Sequence, residues 1–246
     1  MKHKVLLFVF SMISINQLLA QGTADTSFFY TSFDGARIHY ERHGKGKPVL
    51  LVHGFTASVA SWKNTVLYQD LLQHGFMLII PDLRGNGLSD KPHDPQAYAN
   101  DAESRDLMGI MEHQGIDHYD VVGYSRGSII TARLLVLDKR VRRAVMGGMG
   151  ADFTNPDWPR RILFYRALSG EPVPELEGML KYVKQSGLDQ QALACQQKEQ
   201  PSTSRKELGA LRMPVLVVNG DKDRDNGNPE ELAGLIQLTA ALGGTP

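Results

Sequence analysis

Apolar positions change their period several times along the chain. Short runs at 28–30 and 37–42 flank the turn residues Asp34-Gly35 and predict a hairpin-like pair of strands. Beyond it, β-rich apolar runs at 48–53, 76–80, 119–123 and 141–146 alternate with helix-compatible stretches at 60–73, 97–114 and 126–137. Strands alternating with helices of this length predict βαβ units, hence an α/β domain whose mostly parallel sheet is covered on both faces. The strand signal stops between 150 and 211, where Pro156, Pro159, Pro172 and Pro174 cut the segment into pieces; of these, 175–185 and 188–197 suit a helix. It resumes at 214–219. The reading is therefore a core at 21–149, a small helical cap inserted at 150–211, and the remainder of the same core at 212–246. In that remainder Asn228 as N-cap, Pro229 at the first position, Glu230 and Glu231 in the first turn and Gly243 as terminator predict one helix over 229–242. Such a helix leaves the core incomplete, without a last strand.

Residues 1–20 follow another pattern: Lys2 and Lys4, an apolar run over 5–15, then Gln17-Leu18-Leu19-Ala20. This is the order of a secretory leader cleaved after Ala20, and it predicts export to a bacterial periplasm or the exterior. The run is too short to span a bilayer, which takes about 20 residues, so no membrane span is expected. Charge narrows the partners further. With 27 Lys+Arg against 27 Asp+Glu there is no net attraction to nucleic acid or anionic lipid. The single cysteine, Cys195, excludes an intrachain disulfide and a thiolate metal site. His39 and His43 share a strand face but lack a third ligand, so no metal is expected. No oligomeric state is implied.

The chemistry concentrates at strand ends. Gly123-Tyr124-Ser125-Arg126-Gly127 follows a strand run and opens a helical one, the context that gives Gly-x-Ser-x-Gly meaning. A sharp turn there would expose the Ser125 hydroxyl at a helix N-terminus, whose dipole favours developing negative charge. The plain alternative is a helix N-cap. His53-Gly54-Phe55 ends an earlier strand and puts the Phe55 amide where it can join the Arg126 amide in holding an oxyanion; His53 itself reads as structural. The stretch Pro81 to Ser89, with Asp82, Arg84, Gly85 and Gly87, reads as a glycine-rich connection with a structural Asp–Arg pair. A dinucleotide-binding fold prompted by Gly85-x-Gly87 fails, since Asp90 stands where a third glycine or alanine is wanted.

With Gly220-Asp221-Lys222-Asp223, these segments span roughly 34–236 in an order that resembles the α/β-hydrolase family. The resemblance is to its short-capped kind, which includes esterases, carbon–carbon bond hydrolases and cofactor-free haloperoxidase-like enzymes. It implies an α/β-hydrolase fold, no cofactor, and a small carboxylic ester or related acyl compound as substrate. It puts the nucleophile at Ser125. Family dehalogenases and epoxide hydrolases carry aspartate there, so this chain resembles the serine type. It implies Phe55 and Arg126 as oxyanion donors and Asp223 as the acid, with Asp152 in reserve.

The family base is a histidine after the acid, and all eight histidines (His3, His39, His43, His53, His74, His93, His113 and His118) precede Ser125. His118 begins the strand that ends at Ser125 and so lies about 23 Å from it. His74 and His113 end helices at the wrong edge of the sheet, and His93, on a loop at the right edge, is expected at the surface. The ending Leu242-Gly243-Gly244-Thr245-Pro246 resembles a Gly-Gly-Thr-His turn with proline in the histidine's place. Losing one triad member leaves roughly 10³ to 10⁴-fold catalysis over water, so an impaired hydrolase is expected, read as a truncated or frameshifted copy of an active one. The alternative is a non-catalytic ligand-binding protein of the same fold.

Overall fold

The computed structural model describes residues 26–223, 225–237 and 239–244, the last six by their main chain alone. The leader expected at 1–20 lies outside the described residues. Among them, eight strands form one sheet: β1 (Ser27–Thr31), β2 (Arg37–His43), β3 (Lys47–Val52), β4 (Phe76–Pro81), β5 (Tyr119–Tyr124), β6 (Val141–Gly147), β7 (Val215–Gly220) and β8 (Thr239–Gly244). Their order is β1-β2-β4-β3-β5-β6-β7-β8. β2 is antiparallel to β1 and β4, and every other neighbouring pair is parallel.

The period-2 pattern explains the layers. In β3, Val49 and Leu51 pack with Trp62 of α1 (Val59–Lys63) and Tyr68 of α2 (Val66–Gln73). Leu50 and Val52 join the larger core beneath α3 (Ala102–His113) and α4 (Arg126–Leu137). All four are nearly or wholly buried, and burial of such side chains stabilises by about 1.5–3 kcal/mol each. β3 is therefore fixed from both faces, and its C-terminal end is a rigid support for the loop that follows.

Two expected helices break, the first where a polar side chain caps the main chain and the second at residues with positive φ. The stretch 60–73 divides into α1 and α2 because Thr65 stays extended and its side chain caps α2 by accepting from Tyr68 N. The stretch 97–114 begins as a short 3₁₀ turn (Pro95–Tyr98), passes through Asn100 and Asp101 at positive φ, and only then enters α3. Between β6 and β7 lie α5 (Pro159–Leu168), α6 (Glu177–Gln185), α7 (Gln190–Lys198) and α8 (Arg205–Gly209). α5 packs on α7, whereas α8 already rests on α4 and on α9 (Pro229–Leu235).

The expectation of a missing last strand is overturned. The helix expected over 229–242 ends at Leu235, where Ile236 turns extended and is buried. The chain then forms β8, parallel to β7 in the register Val215↔Thr239 through Gly220↔Gly244. Pairing satisfies the main-chain groups that β7 would otherwise present as an open edge, and Gly243-Gly244 has little to gain from a helix.

Candidate active site

β5 runs into α4 through Ser125, whose φ of 53° and ψ of −121° lie outside the regions open to side-chain-bearing residues at low cost. Such a conformation costs on the order of 1–3 kcal/mol and persists only where its surroundings impose it. They do so here. Ser125 N donates to Gly147 O at 2.8 Å, Ser128 N to Ser125 O at 2.8 Å, and Ser128 Oγ reaches Gly123 O and Gly147 O at 3.0 and 2.8 Å. The glycines admit the close packing that this requires. A Cβ on Gly127 would stand 2.2 Å from Val52 O, and one on Gly123 would stand 2.4 Å from Thr131 Oγ1.

Ser125 occupies the N-cap position of α4 but makes no side-chain capping bond, so its half-buried hydroxyl is not consumed by the helix. It faces a cavity of about 550 Å³, a size suited to a small organic ligand. Phe55 and Arg126 line the same cavity. Arg126 is the first residue of α4, so its N–H has no intrahelical acceptor, and the Phe55 N–H has no acceptor among the described residues. The Phe55 loop is held by Asn86, whose Nδ2 donates to Phe55 O and Ala57 O at 2.8 and 3.1 Å. Gln196 of α7 in turn bonds Asn86 Oδ1 and Arg84 O. Across the cavity mouth the Phe55 ring meets Phe164 of α5 edge-on at 5.9 Å.

The Arg126 side chain turns away from the chemistry. Its guanidinium is buried in a two-bond pair with Glu103 of α3, at 2.7 and 2.5 Å. Glu103 was not among the residues that motif spacing singles out, because a carboxylate on a helix gives no sign of which cation it will meet. The Asp–Arg pair expected within 81–89 also resolves differently. Arg84 pairs with Asp106 and Asp34, while Asp82 takes His39 Nδ1 at 2.8 Å and the N–H groups of Val59 and Leu88.

The acids stand apart from the cavity lining. Asp223 lies on the loop after β7, its Oδ1 accepting from Asp225 N at 3.2 Å; Asp152 is exposed at the start of a 3₁₀ turn after β6. Neither lines the cavity, although Asn226 of the same loop does. His53 is the histidine that lines it, and both its ring nitrogens are engaged: Nδ1 donates to Gly54 O at 2.8 Å and Nε2 accepts from Leu83 N at 3.0 Å. Complete burial lowers its pKa, which keeps the ring neutral. His93 is at the surface, 2.9 Å from Asp189. A Ser–His–Asp chain does link Ser27, His39 and Asp82 at 2.9 and 2.8 Å, but none of the three lines the cavity, and the chain ties β1 and β2 to the loop after β4.

Comparison with known proteins agrees with this architecture. A profile of the alpha/beta hydrolase fold matches residues 47–169, half of the chain. Epoxide hydrolase 3 of Siraitia grosvenorii is 38% identical over 97 residues, covering 39% of this chain and 30% of that protein. The 2-hydroxymuconate semialdehyde hydrolase of Pseudomonas sp. (strain CF600) is 34% identical over 121 residues, covering 48% of this chain and 42% of its own length. Each of these matches thus spans less than half of the curated relative. An esterase from Exiguobacterium antarcticum has the same fold, with a TM-score of 0.70 at 20% identity, over 87% of this chain and 89% of that one. A glycine-flanked serine forced into a strained strand-to-helix turn, on a sheet of this order, accords with the profile match: the chain belongs to the alpha/beta hydrolase fold family.

Proposed function

We propose that the chain is a serine-type hydrolase of small carboxylic esters or related acyl compounds, impaired in turnover. The observation that carries this reading is Ser125, whose unengaged hydroxyl sits at a strained turn on the floor of the cavity. In the proposed reaction Ser125 Oγ attacks the acyl carbon and gives its proton to a base. The Phe55 and Arg126 amides receive the oxyanion, at about 3 kcal/mol per donor in the transition state. The alcohol leaves with a proton, and water then cleaves the acyl-serine ester to the free acid. Asp223, or Asp152 in its place, would orient a histidine base. Serine also argues against the epoxide chemistry named for some relatives, since its attack on an epoxide would leave an ether that water does not cleave.

Impairment is part of the proposal. His53, which lines the cavity, has no free nitrogen to offer as a base. The test is chemical rescue. Added imidazole is expected to accelerate p-nitrophenyl ester hydrolysis, and a fluorophosphonate probe to label Ser125 slowly; Ser125→Ala should abolish both. Saturable binding of an acyl compound with neither rescue nor labelling would assign the cavity to ligand binding without turnover. Residues 1–20 are proposed as an export leader to a bacterial periplasm or beyond, which N-terminal sequencing of the exported protein checks by starting at Gln21.

A further inference from the structure

The cavity is chemically lopsided. Its walls are largely apolar, with Trp62, Ile129, Trp158, Phe164 and Met179 among them, yet the described residues that line it include three arginines and no aspartate or glutamate. Arg126 is neutralised by Glu103. The other two, Arg160 and Arg161, lie in the first turn of α5, behind Pro159. Cations at a helix N-terminus oppose the helix dipole, so they are not there to stabilise α5.

Among the described residues, neither has a carboxylate within hydrogen-bond distance. Arg161 donates to main-chain carbonyls, those of Gln197, Lys198 and Pro156 at 2.9, 3.0 and 2.9 Å, which orient the guanidinium without cancelling its charge. Arg160 lies over the Phe164 ring at 4.9 Å, and its nearest acid, Asp225, is 3.8 Å away and 73% exposed. Three lining residues also hold buried donors with no acceptor among the described residues: Trp62 Nε1, Arg126 Nε and Arg161 Nε. A surplus of donors and positive charge within apolar walls fits a ligand with a greasy body and an anionic end.

Resting on the acyl-hydrolase reading of the same cavity, we infer that its substrate is an ester bearing a free carboxylate, received by Arg160 and Arg161 of α5 while the scissile carbonyl meets Ser125. α5 thus supplies charge selection and the β5–α4 turn supplies the nucleophile. The Phe55–Phe164 contact couples the two.

The experiment compares monomethyl adipate with dimethyl adipate by calorimetric titration into the full chain carrying Ser125→Ala, in which neither ester can be consumed through Ser125. The half-ester is expected to bind about tenfold or more tightly, as for a charge-assisted hydrogen-bonded pair, and the preference should shrink with added salt. Arg160→Gln, which leaves the Arg161 carbonyl bonds intact, should reduce the preference, and adding Arg161→Met should remove it. Equal binding of the two esters, or a preference that survives both substitutions, overturns the inference. Labelling of Ser125 in the unmodified chain is scored separately: anion preference with an unlabelled serine keeps the carboxylate subsite and removes the acyl-transfer reading.

Discussion

The main-chain N–H of Leu83 donates to His53 Nε2 at 3.0 Å. That bond decides the chemistry of the histidine that lines the cavity. Nε2 is an acceptor only when unprotonated, so the ring is the Nδ1–H tautomer, and that proton is donated to Gly54 O. A ring whose lone pair and proton are both engaged ties the loop after β3 to the loop after β4, and cannot take a proton from Ser125.

Burial of the same ring predicts a pH dependence. Burial lowers the folded-state pKa of His53, whereas an unfolded histidine titrates near 6.5. Below about that pH the unfolded chain takes up a proton that the folded chain refuses, so this contribution to stability is full at higher pH and is lost as pH falls toward the depressed folded value. Urea unfolding between pH 7.5 and 5.5 should show falling stability, with a shallower slope in His53→Gln.

Ser125 is strained, and glycine relieves that strain. Ser125→Gly should be about 1 kcal/mol more stable than Ser125→Ala, because only glycine adopts its backbone angles without a Cβ clash. Thermal melts of the two variants check this; equal stability would show that the turn relaxes on its own.

Gly127 has no such freedom to change. Its added Cβ would stand 2.2 Å from Val52 O and 2.6 Å from His53 O, both main-chain atoms. Gly127→Ala should cost about 1–3 kcal/mol and reduce fluorophosphonate labelling of Ser125 as α4 is pushed off the end of β3. Chemical denaturation and labelling rate read the two effects separately.

The buried Arg126–Glu103 pair predicts an asymmetry. Glu103→Ala leaves an uncompensated guanidinium inside the protein and should cost about 3–5 kcal/mol. Replacing both partners, as Glu103→Leu with Arg126→Met, should recover most of that loss. Urea midpoints of the single and double variants test it; equal losses would mean that water reaches Arg126.

Much of the fold was legible because periodicity is a local property. The apolar runs at 48–53, 76–80, 119–123, 141–146 and 214–219 overlap β3 to β7. The Gly-x-Ser-x-Gly spacing pointed to a turn because two missing side chains only make sense where backbones approach. The misreadings lie where local preference is nearly balanced. Residues 229–242 carry good helix-start signals, yet from Thr239 on the chain pairs with β7, whose matching residues stand 24 positions earlier (Val215↔Thr239) and lie outside any local window. Thr65 could continue a helix or cap one, and capping prevailed.

The sequence by itself determined the alternation of strands and helices and the glycine-flanked serine between a strand and a helix, since each depends on residues within a few positions of one another. Only the tertiary structure decided which polar groups remain free: that His53 is fully engaged, that Arg126 is cancelled by Glu103, and that Arg160 and Arg161 are not cancelled by any lining acid. The reason is physical. A hydrogen bond or ion pair is satisfied by whichever group the packing of distant segments brings within about 3 Å, and no local pattern records that choice.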